Sequence, residues 1–225
     1  MHRIDLAETK LRDLNAALQA QDAHTNQTAW EVLAPRGQHA IAVGLDAPLD
    51  VTVHGSAGYY CGGMNDGALI RVLGNAGPGV AENMMSGTVL VEGDASQYAG
   101  ASGHGGLLVI RGNATSRCGI SMKGVDIVVG GDVGHMSAFM AQKGNLVVCG
   151  NAGDALGDSI YEARLFVRGR VNSLGADCVE KEMRPEHLAA LAELLERAGM
   201  DARPEEFRRY GSARKLYHFD IDNAY

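Results

Sequence analysis

The 225-residue chain has only four cysteines, five prolines and one tryptophan, and aromatics make up 5 % of it. Several protein classes are thereby left without their raw material. No apolar run approaches the roughly 18 to 20 residues of a membrane helix. Met1 to Leu6 lacks the basic-then-apolar order of a secretory leader. A cytoplasmic protein with no membrane partner is expected. Cys61, Cys118, Cys149 and Cys178 form no CxxC pair, so reduced, buried thiols are expected rather than a disulfide framework. Positive charge is short as well. Twenty Lys and Arg face 27 Asp and Glu, a formal net charge of −7, which argues against nucleic acid as a partner. Neither GxGxxG nor GxxxxGK[ST] occurs, so the chain lacks the usual dinucleotide and phosphate loops.

Glycine, by contrast, is abundant: 30 residues, about 13 % against a usual share of roughly 7 %. The excess is positional. Gly55, Gly74, Gly93, Gly112, Gly131, Gly150 and Gly169 recur every 19 residues without insertion or deletion. Two residues before them stand Val53, Val72, Val91, Ile110, Val129, Val148 and Val167, and four before stand Val51, Ile70, Val89, Leu108, Ile127, Leu146 and Leu165. Both columns are aliphatic at the strand period of two, so each repeat carries a short strand with one buried face. Two and seven residues after the glycine come columns of Ala, Gly and Val, as at Ala57 and Gly62, where a tight corner with positive φ is expected. The position after the glycine reads Ser56, Asn75, Asp94, Asn113, Asp132, Asn151, Arg170, which in stacked coils is a ladder without adjacent like charges.

Such a unit cannot bury its apolar face alone, but stacked copies can. The expected fold is all-β: a single-stranded β-solenoid of seven 19-residue coils with short helical caps. Right-handedness is expected, because left-handed hexapeptide helices repeat in multiples of six. Six steps at the inter-strand spacing give a length of roughly 29 Å. Three regions follow: a helical N-terminal cap (residues 1–29), the β-helix (30–181), and a C-terminal helix with a tail (182–225). In the cap, Asp5 and Glu8 have capping-box spacing and Leu11, Leu14 and Leu18 share a face. The segment from Trp30 to Leu49 is expected to be an extended lead-in. Pro185 starts a helix with an apolar face of Leu188, Leu191, Leu194 and Leu195, and Gly199 ends it.

Few residues suggest chemistry. Cys61 and Cys118 share a phase but lie three coils apart, about 14 Å, so neither a shared metal nor a disulfide is expected. Glu92 beside Arg111 reads as a surface ion pair. His104, His135, Lys123 and Lys143 lie in the returns without a converging nucleophile or base, and no catalytic, cofactor-binding or metal residue is assigned. The outward strand position three before the glycine carries Leu90, Val109, Val128, Val147 and Phe166 consecutively. This stripe is covered either by the C-terminal helix or by another chain. Together with Met84, Met85 and His104 in the returns, it forms the candidate interface.

Four segments carry a resemblance: Gly58-Tyr-Tyr-Cys-Gly-Gly63, Glu82-Asn-Met-Met-Ser-Gly87, Arg117-Cys-Gly-Ile-Ser-Met-Lys-Gly124 and Gly134-His-Met-Ser-Ala-Phe-Met140. They resemble the GXGXG β-helix family, which includes the C-terminal domain of the glutamate synthase large subunit and, more distantly, a subunit of formylmethanofuran dehydrogenase. The chain's size, N-terminal helix and tail from Tyr217 to Tyr225 are most similar to the small β-helix subunits of N-methylglutamate synthases. That resemblance implies a complex of three polypeptides: a glutamine-amidotransferase-like chain, this β-helix, and an FMN-binding synthase chain, with or without an iron–sulfur cluster. The reaction it implies converts methylamine and L-glutamate to N-methyl-L-glutamate and ammonia, with catalysis and cofactors in the other two chains. An equivalent place in a glutamate synthase-like amidotransferase and oxidoreductase complex, and an autonomous solenoid enzyme or carbohydrate binder, remain as alternatives.

Overall fold

A computed structural model describes residues 2–214. They form a β-solenoid. β1 (His2–Asp5), β2 (Ala29–Leu33), β3 (Asp50–Val53), β4 (Leu69–Val72), β5 (Thr88–Val91), β6 (Leu107–Ile110), β7 (Lys123–Val129), β8 (Lys143–Val148) and β9 (Arg164–Val167) stack in chain order as one parallel sheet. From β3 to β9 the register advances by 19 residues at each step, as in Val53↔Val72 and Val91↔Ile110. The two aliphatic columns point inward and are fully buried.

At the glycine column each coil closes on the next. The Ser, Asn or Asp side chain after each glycine accepts a hydrogen bond from the backbone N–H one coil on, from Asn75 to Ser56 Oγ (3.1 Å) through to Arg170 to Asn151 Oδ1 (2.9 Å). Asn113 and Asn151 also donate Nδ2 to Asp94 and Asp132, so the mixed column keeps its carboxylates bonded and apart. Of the seven column glycines only Gly55 has positive φ, 140°. The positive φ expected two residues after the glycine is absent from that column, Ala57 through Val171, whose members pair as β-bridges, and this expectation is corrected. A Cβ at Gly93, Gly112, Gly131 or Gly150 would come closer than 3.0 Å to the ladder oxygen beneath it, so close approach is what demands glycine.

Positive φ sits in the returns instead, including the seven-after column, where Gly62, Ala81, Gly100, Gly119, Ala138 and Gly157 have φ of 57–71°. Residues two before and two after join them, for example Tyr98 (63°) and Ser102 (53°) around Gly100. The alternation turns successive amides toward opposite neighbours. Tyr98 and Ser102 donate to Ser116 O (3.2 Å) and Ile120 O (2.9 Å) in the following coil, and Gly100 donates to Val80 O (2.8 Å) in the preceding one. Each left-handed non-glycine residue costs about 1 kcal/mol, and this second ladder offsets the cost. A coil bonded at strand, corner and return admits no insertion.

Both ends depart from the sequence reading. The N-terminal segment is not purely a helical cap, because β1 joins the sheet through His2 stacked on Trp30 (4.7 Å) and Arg3 paired with Glu31 (2.8 Å). Asp5 accepts from the Ala7 N–H (2.8 Å) in a turn, and the helix α1 (Leu11–Gln19) starts only after Lys10, which makes no side-chain cap. Residues 30 to 49 are a coil in their own right rather than a lead-in. Their step is 21 residues (Trp30↔Val51), which sets Ala34 with φ 48° opposite Gly55. At the other end β10 (Cys178–Lys181) moves one place outward, and β11 (Arg208–Ser212) inserts antiparallel between it and β9. Tail residues Phe207 and Tyr210 are buried there. Tyr217, Phe219 and Tyr225 lie outside the described residues.

Gly112→Ala is expected to lower stability by about 1–3 kcal/mol through overpacking against Asp94, read as a lower urea midpoint with the solenoid circular-dichroism spectrum retained.

Candidate functional site

The outward stripe is covered from within the chain. The helix α2 (Pro185–Ala198) lays Leu191, Leu194, Leu195 and Ala198 over Val109, Val128, Val147 and Phe166, with Phe207 completing the cluster and Leu90 half-buried at its edge. Lengths match: a 14-residue helix is about 21 Å long, and four steps from Leu90 to Phe166 span about 19 Å. Thr52 and Arg71, in the same column beyond the helix, are polar. Arg111, paired with Glu92 at 3.9 Å, chiefly holds the helix end: its Nη1 donates to Ala198 O (2.6 Å) and Gly199 O (2.9 Å), a cation at the negative pole of the helix. Pro185 in the first turn and left-handed Gly199 (φ 61°) delimit α2 as expected. Val109, Val128, Val147 and Phe166 are core and Leu90 is half-buried at its edge, which corrects their place in the candidate interface.

Cys61, Cys118, Cys149 and Cys178 are free and buried. Burial pushes the Cys61 and Cys118 thiols up to about 12 and Cys178 up to about 11, and raises Cys149 against the opposing pull of Arg168. Among the described residues no group of three or more His, Cys, Asp or Glu is placed to hold a metal ion. No described helix is long and apolar enough to cross a membrane.

Most of the exposed large apolar side chains lie on the returns, with Leu73 at a corner and Val179 on β10 besides. Met84 is core, correcting its interface assignment, while the next residue, Met85, is 48 % exposed. His104, one coil on from Met85 in the same column, is exposed, and its N–H donates to Met84 O (2.7 Å). Met64 and Met140 are similarly exposed, and Tyr59 is exposed beside Tyr60 (5.5 Å between rings). Lys123, His135 and Lys143 are exposed too, without gathering around a common reacting point. The Arg117 guanidinium stands 6.0 Å from the Tyr98 ring centre. Flexible thioethers and aromatic rings on a backbone fixed by two ladders make a surface suited to docking another protein.

Column membership would have separated buried from exposed methionines. Ten residues after the glycine stand Asn65, Met84, Gly103, Met122, Ala141 and Ile160, all buried. Eleven after stand Asp66, Met85, His104, Lys123, Gln142 and Tyr161, all exposed. The polar company of the second column was the readable sign.

The chain is 70 % identical over 222 residues to Protein GlxC of Rhizobium meliloti (strain 1021), covering 98 % of this chain and 97 % of that protein. No family model matches it.

Two outcomes follow. Val128→Asp is expected to cost about 3 kcal/mol or more by burying an uncompensated carboxylate, shown by a lowered melting temperature of the isolated chain. A thiol reagent at pH 8 is expected to find no fast-reacting cysteine in the native chain and four after denaturation, because burial withholds the reactive thiolate.

Proposed function

Because the chain belongs to the GlxC family, we propose that it is the β-solenoid scaffold subunit of a glutamate synthase-like complex, and more specifically of one making N-methyl-L-glutamate and ammonia from methylamine and L-glutamate. A glutamine-amidotransferase-like chain and an FMN-binding synthase chain supply the chemistry, and FMN and any iron–sulfur cluster reside in the latter. The solenoid supplies a rigid surface that holds the two together.

The observation that carries this reading is where the surface lies. The four segments bearing the GXGXG resemblance lie in the returns, and these expose Tyr59, Met85 and Met140, with His104 exposed on a neighbouring return. A scaffold gains by having its contact residues fixed before binding, since less conformational entropy is then lost on association. The outer stripe is satisfied internally by α2, and most of the exposed large apolar side chains lie on the returns.

Co-expression with the two expected partner chains tests this. The double variant Met85→Glu and Met140→Glu is expected to keep the melting temperature of the isolated chain while losing at least tenfold in complex affinity, about 1.4 kcal/mol. Full assembly of that variant, or turnover of methylamine and glutamate by the isolated chain, would overturn the proposal. Supplying ammonia, glutamine and methylamine in turn to the reconstituted complex identifies the amine, with methylamine expected.

A further inference from the structure

A cleft of about 520 Å³ opens where the solenoid ends. Lys143 at the start of β8, Arg164 at the start of β9, Lys181 and Arg209 on the β10–β11 pair, and Arg184 and His187 at the head of α2 line it. In a chain of net charge −7 this is a concentration of positive charge. Glu162, Glu182 and Glu186 also line the cleft; Arg184 engages Glu182 and Glu186 at 3.3 and 3.9 Å, and Glu162 has an interaction of its own. Lys143, Arg164, Lys181 and Arg209 have no carboxylate within ion-pair distance among the described residues. Arg209 is fixed by donating Nε to Glu182 O (2.9 Å), and β pairing sets it beside Lys181.

His187 sharpens the chemistry. It is only 9 % exposed, and its Nδ1 accepts the Arg184 N–H at 3.2 Å. That bond needs the Nδ1 lone pair, so the neutral ring carries its proton on Nε2, which has no protein partner among the described residues. Burial, followed by the nearby Arg209, holds His187 below its ordinary value, so the ring is a neutral donor at pH 7. Burial and then Arg184 and Arg164 likewise lower Arg209, with Glu186 and Glu182 only partly offsetting them. The 14-residue α2 adds the positive end of its dipole.

We propose that this cleft binds a small polyanion, a compact molecule carrying a phosphate or several carboxylates, with Arg164, Lys181 and Arg209 supplying charge and His187 Nε2–H a directed hydrogen bond. The volume suits a small molecule, and the overall negative charge disfavours nucleic acid. The site is independent of the scaffold role, because it is built from the sheet end and the head of α2 rather than from the exposed returns.

Isothermal titration of the full chain at constant ionic strength, with inorganic phosphate and separately with citrate, tests it. Saturable one-to-one binding of at least one probe is expected, with the His187 ring resonances shifting. The double variant Arg164→Ala and Lys181→Ala should bind roughly tenfold more weakly or worse. Its melting temperature without anion should be unchanged or higher, because like charges are relieved. The probe that binds distinguishes phosphate from carboxylate ligands. No saturable binding of either, or undiminished binding by the double variant, would overturn the proposal.

Discussion

Everything in this fold depends on how closely one coil approaches the next at the glycine column. There the side chain of Ser56, Asn75, Asp94, Asn113, Asp132 or Asn151 bends over to meet an amide in the coil above, and the space it crosses is the space a Cβ would fill. Backbone bonds between successive glycines, such as Gly112 N–H to Gly93 O at 3.0 Å, run alongside. With the corner pinned, the strand before it and the return after it have no freedom to slip. The apolar columns then stay aligned over the whole stack, and burial of Val, Ile and Leu supplies the bulk of the stabilisation. Constant period, small-residue columns and a dry interior are consequences of one close contact repeated.

A stack of identical coils has two raw ends, and the chain closes them by different means. At the N-terminal end α1 drops Leu14 and Leu18 into the core, and Asn15 imitates a neighbouring strand: its Nδ2 donates to Ala40 O (2.7 Å) and its Oδ1 accepts from the Ala42 N–H (3.0 Å). At the other end the antiparallel β11 terminates the parallel order, and the chain between β10 and β11 folds α2 back along the outer sheet face. The same doubling back gathers arginines and lysines around the head of α2. Closure of the solenoid and the cationic cleft thus share one cause.

Much of this was legible because a repeat multiplies each weak preference. One Val two residues before one Gly means little, but seven in phase define a strand, its face and its corner. Where copies stop, legibility stops. Trp30 to Leu49 hid as a lead-in because two extra residues shift Ala34 off the glycine spacing, and β1 hid because a four-residue strand has no partner in the sequence pattern. The reason for the corner glycines was not readable, since composition shows that a side chain is excluded and only coordinates show what excludes it, and the small column two residues on was misjudged as a positive-φ corner. The stripe of Val128 and Val147 was legible as an apolar face in need of cover, but it was assigned to the candidate interface because its cover, α2, is tertiary. Met84 and Met85 are adjacent in sequence and opposite in fate, and only their columns tell them apart.

In the proposed scaffold role, a solenoid whose outer stripe is sealed and whose returns carry thioethers, phenols and an imidazole is gripped along those returns. Hydrogen exchange of the chain alone and within the complex purified from its source measures this most directly. The account predicts added protection in the returns spanning residues 58–66, 82–87 and 134–142, with α2 unchanged. Added protection confined to α2 and the strands beneath it, with the returns unaltered, would contradict it.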